Sequence, residues 1–576
     1  MITCNQKQDI RYERRITWQM PRREERRSMP VSADVVFVGG KVLTMSSEKG
    51  RLADSVAVLN GRILAVGARH EIEELKGRTT RVIDLQGRTL MPGLADIHVH
   101  LASGARDQSF VECRDFYDPS VVSVGVILSR LSGRAKTAQP GQWVVGVGSP
   151  MQAFRLAERR LPTKQELDAA VPTNPAYVTF GAHVLVANSL ALREKHVTSD
   201  TPDPAGGLVE KDPTTGEPTG VLRERAQYLL KSKGAPSGRI PLRDLIKHHL
   251  ELAARRGVTT IHDIVVSPVE MTAYQDLASS GELPIRVRLL IRVIEAEFSM
   301  DSLLDLGLRH GFGSDMLRIG GVKLSIDGGF TARQGAFHGL DDETDNHALI
   351  RIDQAELDDV ISRYHGAGMR ICVHVVGDMA IDMALDAFET ALARRPRTDH
   401  RHRVEHLGNW LFTPERRERT ARLGLLPIAN PAVMYFLGDM AFEAIGSRRM
   451  EGAFALRSML DAGIPVSFGS DAPGYWPVDV LRDIAAAAGR KTFIGTPVAP
   501  EELISVGEGL RAQTATAAWV GFDEASLGSI AHGKLADLIV LDADPLRVPW
   551  DVLMDMPVLL TMVGGRVVYE CAGALD

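Results

Sequence analysis

The feature that most constrains the fold of this 576-residue chain is a series of eight short apolar segments separated by helical patterns. Such alternation is typical of βα units that build a parallel sheet. The predicted strands are residues 93–100, 259–263, 285–291, 317–327, 370–375, 403–406, 424–429 and 465–471. The helical patterns include residues 242–255, 354–365, 380–394 and 414–423. Eight repeats predict an α/β fold, a TIM (β/α)8 barrel over residues 93–528, with its active site at the carboxyl ends of the strands.

Both ends of the chain have a different, β-rich pattern. Short strand-like runs with turns such as Asn60-Gly61 fill residues 34–90, and similar runs return at residues 536–541 and 558–569. Short strands at close spacing are typical of a small sandwich or barrel. We therefore predict a β-sandwich domain formed from both termini, residues 31–92 and 529–576.

The interval between the first two predicted barrel strands is too long for a simple loop. It contains strand-like segments at residues 143–147 and 176–180 and a stretch rich in Gly, Pro and Asp at residues 200–220. Long unstructured connections are uncommon inside compact domains. We predict an inserted subdomain over about residues 105–238, which leaves the first strand at its carboxyl end and therefore lies over the mouth of the barrel.

Charge and composition exclude several classes of partner. The formal net charge of −6 offers no basic surface for nucleic acid, and no apolar run approaches the ~18–20 residues that span a bilayer. The four widely spaced cysteines argue against a disulfide framework or a cysteine-based zinc site. These features predict a cytoplasmic protein with a small-molecule substrate, and they leave a homodimer open.

The first 30 residues are rich in arginine and lack the apolar segment of a secretory signal. Acidic residues interrupt the stretch, so it also fits a transit peptide poorly. We expect a disordered basic arm over residues 1–30, with Met29 as the more natural start.

Two histidines in the first predicted strand are candidate metal ligands. His98 and His100 stand two residues apart, so both side chains lie on one face of a strand. Taken alone, such a pair is more often incidental than a metal site. Four further residues with ligand or acid–base chemistry lie in or at the end of other predicted strands: Lys323, His374, His406 and Asp471. Their convergence on one rim of a barrel predicts a metal centre.

These residues carry a resemblance to a known family. The His-x-His pair, the lysine, the two single histidines and the run Ser470-Asp471-Ala472-Pro473 resemble the amidohydrolase superfamily. The segments around Lys323 and His374 and the run at residues 220–224 are similar to its YtcJ-like branch, which includes N-substituted formamide deformylases. The resemblance covers about residues 34–570.

The resemblance implies a role for each of these residues. It makes metal ligands of four histidines, His98, His100, His374 and His406. Asp471 would be both a ligand and the general base, and Lys323, once carbamylated, would bridge two metal ions. The implied cofactor is one or two divalent ions, with zinc as the expected metal. The alternative for Lys323 is a plain ammonium at the barrel mouth, which would leave a mononuclear site.

Other residues are weaker candidates, and each keeps an alternative. His183 in the insertion either assists catalysis or is a surface histidine, since Gly181-Ala182-His183 departs from the Asp-Gly-His motif of the branch. Arg223 either contacts the substrate or braces the insertion through an ion pair. His262 and Asp263 either orient ligands or cap a helix. The aromatic candidates for substrate binding, which could equally pack loop against loop, are Trp410, Tyr435 and Trp476.

Together with the resemblance, these residues predict a metal-dependent hydrolase that cleaves a C–N bond of amide or N-formyl type in a small apolar or aromatic molecule. A lyase, isomerase or decarboxylase on the same barrel is the alternative, because Asp471 suits that chemistry too. A non-catalytic binding protein is the third interpretation, and the presence of all six expected site residues argues against it.

Overall fold

The computed structural model describes a defined part of the chain. The described residues are 32–46, 53–106, 110–116, 118, 120–150, 152–181, 184–204, 207–231, 241–294, 296–329, 335–338, 350–446, 450, 452–472 and 476–575. The predicted basic arm at residues 1–30 and the candidate His183 lie outside them.

The described part of the chain starts with six short strands. They are β1 (Ala33–Val38), β2 (Lys41–Val42), β3 (Ser55–Leu59), β4 (Arg62–Gly67), β5 (Lys76–Asp84) and β6 (Thr89–Pro92), with helix α1 (Arg69–Glu73) after β4. Four of them form a sheet in the order β4-β3-β1-β5. The predicted turn at Asn60-Gly61 joins β3 to β4, and both residues have positive φ, as a tight hairpin turn requires.

Strand β7 (Leu94–Val99) is fully buried, and a long segment separates it from the next strand of its sheet. That segment holds β8 (Val111–Glu112), β9 (Val144–Gly148), β10 (Ala176–Phe180), β11 (Val184–Ala187), β12 (Gly207–Lys211) and β13 (Pro218–Glu224). Its helices are α2 (Leu101–Arg106), α3 (Val124–Ala135), α4 (Lys164–Ala170) and α5 (Ser189–Glu194). The six strands form one sheet, order β12-β13-β11-β10-β9-β8. Leu131 of α3 packs with Val144 and Val178 in a hydrophobic cluster drawn from this segment alone.

The central sheet is a curled, parallel sheet of seven strands. After β7 it consists of β14 (Val258–Val265), β15 (Arg286–Arg292), β16 (Leu317–Ser325), β17 (Ile371–His374), β18 (Arg403–Glu405) and β19 (Leu426–Ile428). The spatial order β19-β18-β17-β16-β15-β14-β7 follows the chain, and every pairing is parallel. Seven of the predicted barrel strands therefore occur as strands.

The last predicted strand, residues 465–471, is described throughout and forms no regular strand. Phe468 makes one isolated parallel bridge to Ala429 beyond β19, and the backbone N–H of Asp471 donates to the carbonyl of His98 over 2.9 Å. Side chains satisfy most of the backbone groups between them. Gln513 bonds both backbone groups of Phe468, and Asn430 donates to the carbonyl of Gly469. The segment thus lies between β19 and β7 without a strand's ladder of hydrogen bonds.

Amphipathic helices follow the strands of this sheet. They are α6 (Leu242–Arg255), α7 (Pro268–Ser279), α8 (Ser302–Asp305), α9 (Gln354–Gly366), α10 (Asp378–Arg394), α11 (Pro414–Arg422), α12 (Pro431–Ile445), α13 (Leu456–Asp461), α14 (Val480–Gly489), α15 (Val506–Arg511) and α16 (Ala517–Val520). In α6 the buried positions recur with helical period, at Ile246, Leu250 and Ala254. The four predicted helices match α6, α9, α10 and α11 to within two residues at each end. None of the described helices has the length and apolar character of a membrane span.

The C-terminal strands return to the beginning of the chain. They are β20 (Leu538–Leu541), β21 (Val558–Val563) and β22 (Arg566–Glu570), with α17 (Trp550–Met554) after β20. They complete a five-stranded sheet, order β2-β6-β20-β21-β22, in which β20 pairs antiparallel with β6. Phe37 of the first sheet and Val540 of this one share a hydrophobic cluster. Strands from both ends of the chain therefore lie in one sheet directly before β7.

Candidate metal centre

Three potential ligands meet at the end of β7. His98 Nε2 lies 3.3 Å and His100 Nε2 lies 3.2 Å from the same atom, Asp471 Oδ1. Ligand atoms from the three residues all lie within 4.8 Å of one another. Because His98 is fully buried and His100 about one-third exposed, the cluster lies at the boundary between the interior and the open end of the sheet.

Backbone hydrogen bonds hold the two segments of this cluster together. The N–H of Asp471 donates to the carbonyl of His98, and the N–H of His100 donates to the carbonyl of Ala472 over 2.7 Å. Asp471 itself has a φ of 61°, a left-handed conformation that is uncommon and unfavourable for residues other than glycine. This conformation ends the segment and directs the carboxylate towards the histidines.

His374 and His406 extend the cluster across the sheet ends. The His406 ring centroid lies 4.9 Å from that of His98 and 4.6 Å from that of His374. His406 Nδ1 lies 2.8 Å from Asn430 Oδ1, and Asn430 uses its NH₂ group on Gly469, so Nδ1 of His406 is the protonated nitrogen. Burial lowers the pKa of His406 to about 3 and holds the pKa of His374 well below its ordinary value. Both rings are therefore neutral, the form that binds metal.

Lys323 lies one strand away from His374. Ser325 of β16 and His374 of β17 are register partners. Lys323 lies two residues before Ser325, so its side chain points to the same face of the sheet as that of Ser325. Its side chain is buried, and its Nζ atom has no hydrogen-bond partner among the described residues. Burial lowers the pKa of this amine to about 8. An amine buried without a partner is unfavourable, so Nζ is suited to binding or reacting with a further group.

Glu405 is a member of the site that the sequence did not single out. Its Oε2 lies 2.5 Å from His98 Nδ1, and both side chains are fully buried. Burial alone would raise the pKa of Glu405, but the charges of Arg403, His98 and Lys323, with the hydrogen bond to His98, together outweigh burial and hold the pKa well below its ordinary value. The signal in the sequence was the spacing of Arg403 and Glu405, two apart on a strand and immediately before His406.

Two more polar residues around the site were missed. Asp96 Oδ1 accepts from the N–H groups of His98 and Ser470, over 3.2 Å and 3.1 Å, and burial raises its pKa to about 6. Asn430 holds His406 as described above. Each of these two residues therefore positions a histidine of the candidate centre, and only the fold shows which one.

His262 and Asp263 have different contacts in the structure. Asp263 accepts hydrogen bonds from the N–H groups of Leu101 and Ala102, over 2.6 Å and 3.1 Å, and from the hydroxyl of Tyr274. It therefore caps α2, the helix that follows His100. His262 instead lies 3.0 Å from Arg403 and points into the interior of the sheet.

The aromatic substrate candidates occupy two places. Trp476 donates its indole N–H to the carbonyl of Ser470 over 2.9 Å and stacks on Phe436 with a centroid distance of 4.9 Å. Tyr435 packs edge-on against the same Phe436 at 5.0 Å. Trp410 is apart from this group, since it donates to the carbonyl of Val376 over 2.7 Å and packs against another aromatic ring. The structure thus brings Tyr435 and Trp476 together beside the segment that carries Asp471.

Arg223 lies on the sheet of the segment between β7 and β14. Its guanidinium is about half exposed and lies 3.3 Å from the carboxylate of Glu210 on the neighbouring strand. This ion pair is the contact that the bracing interpretation predicts. Substrate binding by Arg223 stays a prediction.

The donor set at His98, His100 and Asp471 fits a divalent cation. His98 Nε2 is buried and has no hydrogen-bond partner among the described residues, although it faces a carboxylate oxygen 3.3 Å away. An imidazole lone pair and a carboxylate lone pair repel each other unless a proton or a cation lies between them. Imidazole and carboxylate are also the ligand types of catalytic zinc sites.

The chain is also similar to known metal-dependent hydrolases and amidohydrolases. The amidohydrolase family profile matches residues 81–569. The chain is 30% identical over 557 residues to the N-substituted formamide deformylase of Arthrobacter pascens, covering 94% of this chain and 99% of that protein. It is 29% identical over 550 residues to the putative amidohydrolase YtcJ of Bacillus subtilis, covering 93% and 99%. An uncharacterized metal-dependent hydrolase from Pyrococcus furiosus superposes with a TM-score of 0.68 at 26% identity, covering 89% of this chain and 100% of that one.

Proposed function

Because this chain belongs to the amidohydrolase family, we propose that it hydrolyses an amide or N-formyl-type C–N bond in a small apolar or aromatic molecule. The family and its relatives identify an enzyme of the metal-dependent hydrolase type that acts on C–N bonds. The observation that carries the proposal is the convergence of His98, His100 and Asp471 within 4.8 Å at the end of β7.

The proposed metal ligands are six residues on or beside the central strands. They are His98, His100, Lys323, His374, His406 and Asp471. When bound, a divalent ion such as zinc lowers the pKa of a coordinated water from ~15.7 towards ~7 and polarises a carbonyl oxygen. The neutral state of His374 and His406 supports their part in this set.

Asp471 is the proposed general base and acid. Its carboxylate accepts the proton of the attacking water and later delivers it to the leaving nitrogen, because an amine does not leave as an anion. Its Oδ1 lies 3.3 Å from His98 Nε2 and 3.2 Å from His100 Nε2, which supports a place for the carboxylate beside an ion that these histidines would bind.

Lys323 is the proposed bridge, after reaction with CO₂. The neutral amine forms a bond from Nζ to the carbon of CO₂ and releases one proton, which leaves an anionic carbamate with two oxygen ligands. The buried position of Nζ, without a hydrogen-bond partner among the described residues, supports this reaction. An unmodified Lys323 would instead belong to a mononuclear site.

The substrate proposal draws on the aromatic group beside Asp471. Phe436, Tyr435 and Trp476 pack together there, and such surfaces bind apolar or aromatic groups. A relative of similar length acts, by its name, on N-substituted formamides. Both observations support a formamide or amide with an apolar substituent.

We also propose how the parts of the chain around the site form domains. Residues 465–472 would close the seven-stranded sheet into a TIM barrel, which their contacts with Ala429 and His98 support. The six-stranded sheet between β7 and β14 would be the inserted subdomain. The two sheets that share a hydrophobic cluster would form the terminal β-sandwich.

A substrate panel with metal analysis tests the proposal. The purified protein is assayed on amides, formamides and carbamates with apolar or polar substituents, and the release of amine and carboxylic acid is measured. We expect turnover of apolar formamides or amides and about one or two equivalents of divalent metal. A metal-free, folded and active protein would contradict the metal role, and elimination or isomerisation products would favour the lyase or isomerase alternative.

A further inference from the structure

We infer that Glu405 is a positioning residue that fixes the tautomer and ring orientation of His98, and that Arg403 and His262 hold Glu405 in place. The inference rests on the proposed metal site, because it concerns which nitrogen of His98 faces that site. Glu405, Arg403 and His262 lie behind the proposed ligands, inside the curled sheet.

The contact between His98 and Glu405 decides the tautomer. An ionised carboxylate only accepts hydrogen bonds, so the nitrogen 2.5 Å from Glu405 Oε2, His98 Nδ1, carries the proton. The other nitrogen, Nε2, is then left with its lone pair, and it faces Asp471. Without Glu405 the proton could occupy either nitrogen, and protonation of Nε2 would prevent metal binding there.

Arg403 fixes Glu405 and the strand that carries His98 at the same time. Its Nη2 donates to Glu405 Oε2 over 2.8 Å and to the backbone carbonyl of Ile97 over 2.7 Å. Ile97 immediately precedes His98, while Arg403 and Glu405 belong to β18, which is not a neighbour of β7 in the sheet. The clamp therefore crosses the interior and sets the distance between the carboxylate and the imidazole.

His262 completes the chain on the side away from the metal site. Its Nδ1 lies 3.0 Å from Arg403 Nη1, and a guanidinium only donates, so Nδ1 accepts and the ring is neutral with its proton on Nε2. His262 also lines a cavity of about 20 Å³ together with Thr260, Thr514 and Asp523, room for about one water. A series of side-chain contacts thus runs through the interior to the site, from His262 through Arg403 and Glu405 to His98.

A second buried ion pair provides a matched comparison. Arg286 Nε and Nη2 donate to Asp537 over 2.7 Å and 2.8 Å, and both side chains are buried. Arg286 begins β15, at the opposite end of the strands from the candidate site. If the Arg403–Glu405 pair merely braced the fold, its loss would resemble the loss of this second pair.

The experiment compares zinc affinity in Glu405→Leu and Asp537→Leu, measured by competition with a chromophoric chelator. Leucine offers no acceptor to His98 Nδ1, and loss of a partner that orients a ligand histidine typically lowers metal affinity about 10- to 100-fold. We expect that loss in Glu405→Leu, with a changed absorption spectrum of the Co²⁺-substituted protein, and wild-type zinc affinity in Asp537→Leu. Wild-type affinity and an unchanged Co²⁺ spectrum in Glu405→Leu would overturn the inference.

Glu405→Leu leaves the Arg403 charge buried without its partner, which can prevent folding. The double variant Arg403→Met/Glu405→Leu removes both charges and keeps the test valid, with Arg286→Met/Asp537→Leu as its control. Reduced zinc affinity in the first pair alone supports the inference, and equal affinity in both pairs overturns it. A wild-type protein that binds no zinc would contradict the proposed function itself, so the two failures are distinguishable.

Discussion

At the scale of single residues, two of the proposed ligand histidines share one arrangement. His98 donates its Nδ1–H to Glu405, and His406 donates its Nδ1–H to Asn430. In both rings Nε2 is then the nitrogen available to a metal ion. A partner of this kind raises the basicity of a ligand and holds its ring in one orientation, so the site is organised before any ion binds.

Asp471→Asn tests the proposed proton transfer. The amide keeps the shape of the carboxylate and one oxygen ligand, but it cannot accept the proton of the attacking water. General acid–base catalysis contributes about 10²- to 10⁴-fold, so we expect kcat to fall by at least that factor while metal stays bound. The measurement is steady-state kinetics with metal content, with Asp537→Asn as the control. Retained turnover would remove Asp471 as the base.

Lys323→Ala tests the bridge. If a carbamate on Lys323 holds two ions together, the variant should lose about one equivalent of metal per chain relative to the wild type. Cys372→Ala is a suitable control, because Cys372 is buried and is the register partner of Lys323 on the next strand. Metal content is measured by elemental analysis after dialysis. Unchanged stoichiometry in Lys323→Ala would indicate a mononuclear site.

At the scale of elements, the segment at residues 465–471 departs most from a regular barrel strand. Asp96, Asn430 and Gln513 take the places of neighbouring strands as hydrogen-bond partners for its backbone. This arrangement lets Gly469 approach β7 closely, since a Cβ atom at Gly469 would lie 2.4 Å from the Cβ of His98. The same close approach brings Asp471 against the two histidines.

Gly469→Ala should therefore damage both stability and the site. The added methyl group meets the backbone and Cβ of His98, and overpacking of this kind costs about 1–3 kcal/mol. We expect a lower free energy of unfolding and weaker zinc binding. Gly133→Ala is the control, because Gly133 lies in α3 with no atom within 4 Å of its Cβ position. Normal zinc affinity in Gly469→Ala would show that the close approach does not set the ligand geometry.

A second element-scale feature is a histidine cluster at the opposite end of the strands from the site. His402 accepts at Nδ1 from the N–H of Ile371 and donates from Nε2 to His365 Nδ1 over 2.9 Å. His365 Nε2 donates to the carbonyl of Arg395, and His400 Nδ1 accepts from the N–H of His402. Each of these rings is neutral, because each uses one nitrogen as an acceptor.

The cluster predicts that stability falls in mild acid. Burial lowers the pKa of His400 to about 4 and holds that of His402 well below its ordinary value, whereas an unfolded histidine titrates near ~6.5. Below that pH the unfolded chain binds more protons than the folded one, so stability is complete above pH ~6.5 and declines towards pH ~4. At pH 5 the contribution of His400 alone amounts to about 2 kcal/mol.

Urea unfolding of the metal-free protein at several pH values between 7.5 and 5 measures this decline. His400→Gln should flatten it, since one titrating group is removed. His248→Gln, at an exposed position on α6, should leave the slope unchanged. A wild-type stability that is constant over this range would contradict the prediction.

At the scale of the whole molecule, strands from both ends of the chain support β7, the strand next to the proposed ligands His98 and His100. β20 pairs with β6, and the N–H of Gly93 donates to the carbonyl of Asp537 just before β7 begins. Asp537 also holds Arg286 at the start of β15. The terminal sheets are therefore joined to the base of the central sheet, while the site lies at the opposite ends of the strands.

Much of this organisation was predictable from local patterns. The alternation of apolar strands and amphipathic helices predicted seven of the strands and four of the helices, and the residue types at the strand ends led to the family. The prediction of a regular strand at residues 465–471 was wrong. Side chains distant in sequence form the hydrogen bonds that neighbouring strands would make with a regular strand. Glu405 was missed because a glutamate next to a histidine is unremarkable until its partner is known.

The sequence by itself determined the βα alternation, the positions of His98, His100, Lys323, His374, His406 and Asp471 in or at the end of the predicted strands, and the family. These properties follow from side-chain hydrophobicity and backbone periodicity, which act over a few residues. Only the tertiary structure decided which side chain contacts which proposed ligand. The contact of Glu405 with His98 joins positions 307 residues apart, and it depends on strand register and on curvature that brings non-neighbouring strands face to face across the interior.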